Sequence, residues 1–373
     1  MLPNEEKGLD NRWSCAKQFQ DSRNTNLRVV SECFANEDNP WLPNLTSVAF
    51  STAFRTEEVL AALQRMPRLV FLTMDLSQEL PRHHRQGPKV VLPNLVMLRA
   101  HGDVIPSVSI LGCITPSPNL CLSIHTSRLR TGAQETGEYE RYENTISPYV
   151  LPYFTLNPPS AVAFFLDKDI LVLEDLSPLG MHANWVPPRR ARVVLSTSFV
   201  PSSSLVIQLI SSTCLSHISR LELLSGRRQG SVDNLFSETV ISALDIFSSS
   251  VKTLCTDGDT LKQLLELPLS VTSNLFPCLT ALEVNCQSMP PLTEKEDPHH
   301  AFVKLRKAAG RPISVLDLGI LPTYPGDMSF LEEHAGLLVK WKTGDNRAYK
   351  YLCGRGHPER LRFPTYRLRR ING

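Results

Sequence analysis

The stretch Pro43-Asn44-Leu45-Thr46-Ser47-Val48-Ala49-Phe50 contains the pattern that decides how this chain folds. A proline is followed two positions later by a leucine, and then by apolar residues at the fifth and seventh positions after the proline. The pattern returns in Pro67-Arg68-Leu69-Val70-Phe71-Leu72-Thr73-Met74 and in Pro93-Asn94-Leu95-Val96-Met97-Leu98-Arg99-Ala100. The leading leucines, Leu45, Leu69 and Leu95, lie 24 and 26 residues apart. Such a spacing predicts a structure built from stacked units of similar length.

Each copy predicts a β-strand with one buried face, because apolar residues alternate with mostly polar ones. The proline lacks an N–H and therefore fits the entry of a strand better than its middle. A further full copy occupies residues 277–284, and the apolar frame without the proline recurs at 218–223, 251–254 and 313–318. Residues 118–124 form a degraded copy, displaced by one position. The pattern predicts these buried residues: Leu45, Val48, Leu69, Leu72, Leu95, Leu98, Leu279, Leu282, Leu316 and Leu318.

Stretches with helical spacing lie between the strand copies, at residues 56–63, 237–244, 260–265 and 300–309. The last is the clearest, with basic residues late and Gly310 directly after it. Strands that alternate with helices in repeated units predict an α/β fold of the leucine-rich-repeat type. This would be a right-handed solenoid with a parallel sheet on the concave face and helices on the convex face. An ordinary doubly wound α/β domain also alternates strands and helices, but a single compact core rarely grows beyond about 300 residues.

The predicted organisation has three parts: an irregular N-terminal segment at 1–39, the repeat region at 40–342, and a basic, poorly ordered tail at 343–373. The tail is basic because residues 347–373 contain eight Lys or Arg and one acid, Glu359, although the whole chain has a net charge of +2. Residues 127–159, 181–190 and 289–298 are interpreted as loops between units. Candidate strands occur at 170–173 and 193–195, in the region where the repeat is weakest.

The composition predicts a cytoplasmic or nuclear protein. Nine scattered cysteines, an odd number without disulfide-scaffold spacing, favour reduced thiols. The first ten residues lack the apolar core of a signal peptide, and no apolar run reaches the length of a membrane span.

Motifs of enzyme chemistry are absent from the sequence. It contains no nucleophile-elbow, dinucleotide-binding or Walker-type glycine motif. Cys353 and His357 have the spacing of one zinc half-site, but no second pair lies nearby. We therefore predict a non-enzymatic protein with no catalytic, cofactor-binding or metal-binding residues. An enzyme whose site is assembled from distant residues stays open as an alternative.

The repeated phrase resembles the repeat region of fungal F-box proteins, especially the mushroom-type expansions. The resemblance covers about residues 40–342 and includes the phrases at 305–318 and 330–341. It implies repeats that select a protein, and an F-box that passes this protein to a cullin-RING ubiquitin ligase through a Skp-type adaptor. No F-box is recognisable, so the adaptor is expected only if an F-box is supplied upstream. The asparagine that forms a ladder in regular repeats is also missing, and Ala53, Ser77, Asp103 and Gln287 occupy its positions.

A protein partner is predicted to bind the concave strand face, where the residues between the buried positions point outward. Phe71 and Met97 on neighbouring strands would, if exposed, form an apolar patch of the kind that marks binding surfaces, and the alternative is that a helix or long loop covers them. The predicted partner-binding residues are Phe71, Thr73, Met97, Arg99, Arg220, Glu222, Glu283 and Asp317. A second class of function also stays open, namely a scaffold that contacts nucleic acid or an anionic membrane through the basic tail.

Overall fold

A computed structural model describes the following residues of the chain. They are 26–29, 42–50, 56–76, 88–117, 120–127, 136–167, 170–177, 192–196, 215–226, 236, 238–284, 297–320, 326–343 and 347–363. The loop predicted at 181–190 and most of the predicted N-terminal segment lie outside them.

Within the described residues, fourteen strands form one long sheet in the order β1-β2-β3-β5-β7-β10-β9-β8-β11-β12-β13-β14-β16-β17. Two short pairs, β4 with β6 and β15 with β18, lie beside it. The strands are β1 (Asn26–Val29), β2 (Ser47–Phe50), β3 (Phe71–Leu76), β4 (Val90–Val91), β5 (Met97–Asp103), β6 (Ile114–Thr115), β7 (Cys121–Ser127), β8 (Ala161–Asp167), β9 (Ile170–Asp175), β10 (Arg192–Ser196), β11 (Arg220–Gly226), β12 (Thr253–Thr256), β13 (Ala281–Val284), β14 (Val315–Ile320), β15 (Gly326–Asp327), β16 (Leu338–Lys342), β17 (Ala348–Leu352) and β18 (Arg362–Phe363).

The repeated phrase sets the register of the parallel strands. Val48, Leu72, Leu98 and Leu122 are successive partners across β2, β3, β5 and β7. The copy at 118–124 therefore pairs in register with its neighbour. In this copy Leu122 follows the leading leucine, Leu120, by two positions, whereas the other copies have a spacing of three. This missing residue is the displacement seen in the sequence.

The middle of the sheet departs from the predicted parallel arrangement. The candidate strands at 170–173 and 193–195 are present as β9 and β10, but β9 is antiparallel to both of its neighbours, β8 and β10. Parallel pairing resumes between β8 and β11 and continues to β16. The fold is thus mixed α/β, with two parallel stretches joined through an antiparallel segment.

Within the described residues, four helices lie at the predicted places and three more were not predicted. They are α1 (Thr56–Gln64), α2 (Val104–Leu111), α3 (Thr136–Leu156), α4 (Glu238–Ser248), α5 (Gly258–Leu265), α6 (Leu269–Thr272) and α7 (Pro298–Ala308), with 3-10 helices at Leu42–Asn44, Ser329–Glu333 and Pro358–Leu361. The four at the predicted places are α1, α4, α5 and α7. The Asp297 carboxylate caps α7 by accepting a hydrogen bond from the backbone N–H of His299 at 2.8 Å. Gly310 follows the helix with φ 72°, the left-handed conformation that glycine adopts without strain.

Helix α3 corrects the interpretation of residues 127–159 as a loop. Pro148 and Pro152 lie inside this helix of 21 residues, and each removes a backbone hydrogen bond. A buried stripe compensates for the two losses, since Tyr142, Ile146 and Tyr149 recur at helical spacing. The Tyr149 hydroxyl lies 2.6 Å from the carbonyl oxygen of Leu111 and 2.8 Å from that of Ile114, which ties α3 to the preceding unit.

One continuous core runs along the inner face of the sheet. All ten residues predicted to be buried from the repeated phrase are buried. Their burial confirms the strand frame of the repeat.

Part of the predicted tail at 343–373 has regular structure. Strand β17 pairs antiparallel with β16 and forms the last strand of the long sheet. The 3-10 helix Pro358–Leu361 and strand β18 follow it. Residues 364–373 lie outside the described part of the chain.

Candidate functional site

The outer face of the long sheet carries the side chains that alternate with the buried ones. In β2, β12 and β13 every second residue is buried and those between are partly exposed. All eight predicted partner-binding residues lie on this face, but they form two separate groups. Strands β7, β10, β9 and β8 lie between the groups.

The N-terminal group consists of Phe71 and Thr73 on β3 and Met97 and Arg99 on β5. Phe71 pairs directly with Met97, and Thr73 pairs with Arg99. Met97 is only 3% exposed and belongs to the core, and Phe71 is partly buried against that core. The prediction of an exposed apolar patch is therefore wrong at Met97. Thr73 and Arg99 stay partly exposed.

The C-terminal group belongs to a longer line of side chains, here called the charged row. The parallel and antiparallel registers place one residue from each of eight adjacent strands side by side. In strand order from β9 to β17 the charged row is Glu174, Ala163, Glu222, Cys255, Glu283, Asp317, Lys340 and Lys350. Four carboxylates thus occupy one end of the charged row and two lysines the other, and every member is at least partly exposed. Beyond Glu174 the register continues to Arg192 of β10.

Arg220 lies on β11, two residues before Glu222 of the charged row. Its side chain extends across β12 to Glu283 on β13. Its Nη2 lies 2.6 Å and its Nε 3.1 Å from Glu283 Oε2, and both side chains are about one-third exposed, at 37% and 34%. The hydrogen bond to Glu283 raises the pKa of Arg220 above its ordinary value. This ion pair fixes one carboxylate of the row and balances one of its four negative charges.

The negative charges of two other row carboxylates act on Glu222. Burial raises the pKa of Glu222, the nearby Arg220 lowers it, and the negative charges of Glu174 and Glu283 raise it further, with a net rise. The same surroundings act on Cys255, whose pKa is raised to about 12, first by burial and then by the charge of Glu222. The thiol is therefore protonated at neutral pH and is not an activated nucleophile.

Sequence reasoning missed five of the eight residues of the charged row. Glu174 and Ala163 lie in the antiparallel segment, where no repeat frame existed to place them. Cys255 follows Leu254 of a recognised frame, so alternation alone could have placed it on the outer face. Lys340 and Lys350 fall in the closing segment and the tail, beyond the last recognised copy of the repeat.

The candidate metal ligands among the described residues lie away from the outer face. Among the described residues, the group of His, Cys, Asp and Glu side chains that could hold a metal ion is His300, Glu333 and His334. These residues belong to helix α7, the 3-10 helix Ser329–Glu333 and the residue after it, and not to the strands. No helix within the described ranges is long and apolar enough to cross a bilayer.

Comparisons with known proteins leave the family open. No family model matches the chain, and no curated protein matches it in sequence. Among solved structures, the crystal structure of the leucine-rich repeat-containing protein LegL7 from Legionella pneumophila is similar over 90% of this chain and 96% of that chain. The identity is 12% and the TM-score is 0.32. This similarity is too low to define the fold, which is defined by the strand registers.

Proposed function

We propose that this chain is a non-enzymatic, protein-binding repeat module of leucine-rich-repeat type, whose partner presents a basic segment to the charged row. The single observation that carries the proposal is the alignment of Glu174, Glu222, Glu283 and Asp317 in one partly exposed line, on four of the six adjacent strands from β9 to β14. A regular sheet face holds such a line of charges in fixed positions before any partner arrives, which lowers the entropy cost of binding.

The sign of the charge selects the partner. Like charges on adjacent strands destabilise a sheet face, and an Arg or Lys side chain placed among them would remove that repulsion. Arg220 already does this for Glu283 at 2.6 Å. The lysines at 340 and 350 disfavour a basic segment at the far end of the charged row, so they would set the orientation of the partner.

The proposed shape is a right-handed solenoid with the sheet on its concave face. In-register parallel strands joined by helices support this shape, since each unit contacts mainly its neighbours. Small-angle scattering on the monomer tests it. A compact globule of this length should have a radius of gyration of roughly 21 Å, and a solenoid should exceed it clearly.

A more specific proposal is a role in a ubiquitin ligase. Its only support is the resemblance of the repeated phrase to the repeat region of F-box proteins. It requires an F-box in the same polypeptide or in an associated one, because the Skp-type adaptor binds that element. The test is co-purification of a Skp-type adaptor with the full-length protein.

Binding at the charged row is tested by removing charge while keeping shape. In a Glu283→Gln, Asp317→Asn double variant, Gln can still accept the hydrogen bond from Arg220, and Asn can still accept the 2.9 Å bond from the backbone N–H of Gly319. The matched control is Glu57→Gln, Glu266→Gln, which removes two exposed carboxylates outside the strands, one in α1 and one directly after α5. Protein partners captured by wild type should bind the row variant at least about tenfold more weakly, corresponding to about 1.4 kcal/mol. Unchanged affinity in a folded row variant would show that the partner binds elsewhere.

A second candidate function is contact with a polyanion through the C-terminal segment. Lys350, Arg355, His357 and Arg360 line one open cavity of about 710 Å³, together with Tyr351 and two leucines. Glu359, 3.2 Å from His357 Nδ1, offsets part of this positive charge. Retention of RNA, DNA or anionic vesicles that is lost in an Arg355→Gln, Arg360→Gln variant would support this function, and retention unchanged by that variant would count against it.

A further inference from the structure

Three potential metal ligands meet where the last long helix contacts the closing segment of the chain. His300 lies in the first turn of α7, Glu333 ends the 3-10 helix Ser329–Glu333, and His334 is the next residue. One ligand atom of each lies within 4.8 Å of the others. Elements that are 33 residues apart in sequence thus bring two imidazoles and a carboxylate together.

Two of the three ligand–ligand distances are close to those around a tetrahedral ion. His300 Nε2 lies 2.9 Å and His334 Nε2 lies 3.4 Å from Glu333 Oε1. Zinc–ligand bonds of about 2.0–2.1 Å at tetrahedral angles place ligand atoms about 3.3–3.4 Å apart. The His334–Glu333 edge already has this length, and the His300–Glu333 edge needs to widen by a few tenths of an ångström once the proton between His300 and Glu333 is displaced. The third edge, between the two imidazoles, is at most 4.8 Å.

His334 provides an observation that is independent of this clustering. Its side chain is 5% exposed, yet neither ring nitrogen has a hydrogen-bond partner among the described residues. The 3.4 Å separation from Glu333 is within ion-pair distance but does not have hydrogen-bond geometry. Because buried polar atoms are nearly always satisfied, an unpartnered imidazole that faces a carboxylate and a second imidazole indicates a missing partner, and a bound ion would supply it.

The surroundings orient the ligands and leave an approach open. The His300 ring packs against the Phe330 ring at a centroid distance of 4.6 Å and lies 5.3 Å from the His334 ring in an edge-on arrangement. Glu333 is 52% exposed, so one side of the cluster faces solvent. Two imidazoles, one carboxylate and a solvent position form a ligand set that favours zinc and neighbouring first-row ions over Mg²⁺ or Ca²⁺.

We propose that His300, Glu333 and His334 form a binding site for Zn²⁺, with water as the fourth ligand, which fastens helix α7 to the closing segment of the chain. The site is separate from the charged row and does not depend on its function. Two lysines limit its affinity, because Lys304 lies one helical turn after His300 and Lys307 Nζ donates to the Glu333 carbonyl oxygen at 3.3 Å. Their positive charges oppose a divalent cation.

The test is a zinc titration of the tag-free full chain after removal of metal with a chelator. Isothermal calorimetry should show one Zn²⁺ per chain, and Co²⁺ should give the visible absorption of a four-coordinate N/O site. Zinc should also raise the melting temperature of the wild type. Glu333→Gln is the main variant, because this exposed position tolerates the change, and it should bind zinc at least about tenfold more weakly. His334→Gln should do the same.

Two further variants distinguish this site from zinc binding elsewhere on the chain. His83→Gln, His84→Gln removes the adjacent histidine pair elsewhere in the sequence and should leave zinc affinity unchanged. Lys304→Gln removes a nearby positive charge and should tighten binding. Absence of zinc binding at hundredfold excess over protein would overturn the proposal. So would undiminished binding in folded Glu333→Gln and His334→Gln, or loss of binding in the His83, His84 variant.

Discussion

Replacement of Arg306 by methionine should destabilise the protein although no ion pair is lost within the described residues. Arg306 belongs to α7 and is fully buried. Its Nη1 donates to the carbonyl oxygen of Leu275 and its Nη2 to that of Phe276, both at 3.0 Å. Phe276 has φ 56°, a left-handed conformation that is unfavourable for a residue with a side chain. The guanidinium thus holds a strained turn that follows α6.

The magnitude follows from the carbonyl groups left behind. A hydrogen bond from a charged donor contributes about 1.5–3 kcal/mol, and an unpaired buried carbonyl costs about 1–3 kcal/mol. Part of this is offset, because the variant no longer buries a cation, and burial lowers the pKa of Arg306 to about 10. Methionine fills a similar volume without charge. We therefore expect a net loss of about 2–4 kcal/mol in the free energy of unfolding.

Urea unfolding monitored by circular dichroism gives the assay, with the slope of the transition used to confirm that both proteins unfold in the same way. The matched control is Arg311→Met. Arg311 contacts the Ser273 carbonyl oxygen and Asn274 Oδ1, each at 3.3 Å, but it is partly exposed, so its loss should cost less than about 1 kcal/mol. If Arg306→Met is as stable as wild type, the buried cation costs as much as its hydrogen bonds contribute, and the reasoning is refuted.

Three other perturbations test separate parts of the structure. Leu72→Ala and Leu282→Ala should each lower the free energy of unfolding by about 2–5 kcal/mol, since both leucines are fully buried, and melting together with wild type would mean that the strand register is wrong. Cys255, whose pKa is raised to about 12, should be alkylated by iodoacetamide at pH 8 much more slowly than the exposed Cys278; equal rates, resolved by peptide mass spectrometry, would contradict the electrostatic description of the charged row. Tyr149→Phe leaves one of two buried carbonyl oxygens without its donor and should cost about 1–3 kcal/mol in the same unfolding assay, and a neutral effect would show that α3 is not anchored there.

The strand frame was predictable because it depends on residues close together in sequence. A leucine can fill a buried position wherever its strand lies in the sheet. The repeated phrase alone therefore identifies the buried residues. The helix at 300–309 was predictable for the same reason, since its apolar spacing and Gly310 all lie within a dozen residues.

The middle of the chain was not predictable in the same way. The stripe of Tyr142, Ile146 and Tyr149 has helical spacing, but Pro148 and Pro152 argued locally against a helix. Tertiary burial of the stripe outweighs the two lost hydrogen bonds. The direction of β9 depends on a turn from β8 and on pairing with β10, and neither is encoded in the repeat period.

The sequence reasoning also failed to predict the contacts of the buried polar residues. In sequence, Arg306 is one of the basic residues that favour the end of a helix, and the proposed zinc ligands belong to no recognisable motif. The role of each depends on a contact between α7 and a segment about 30 residues away. Local spacing carries no information about such contacts, although the adjacent pairs His299-His300 and Glu333-His334 could have drawn attention to the two segments.

The charged row shows why the chemistry of an outer sheet face is harder to predict than a core. Any apolar residue satisfies a core position, so packing enforces a pattern that recurs from unit to unit. Outer positions carry no such constraint, and their chemistry arises only when strands are placed side by side. Arg220 and Glu283 are 63 residues apart and lie on strands separated by β12, yet they are joined at 2.6 Å. A sequence can therefore predict which residues face outward in each unit. Which of these residues become neighbours, so that separate carboxylates line up, depends on the register of the whole sheet.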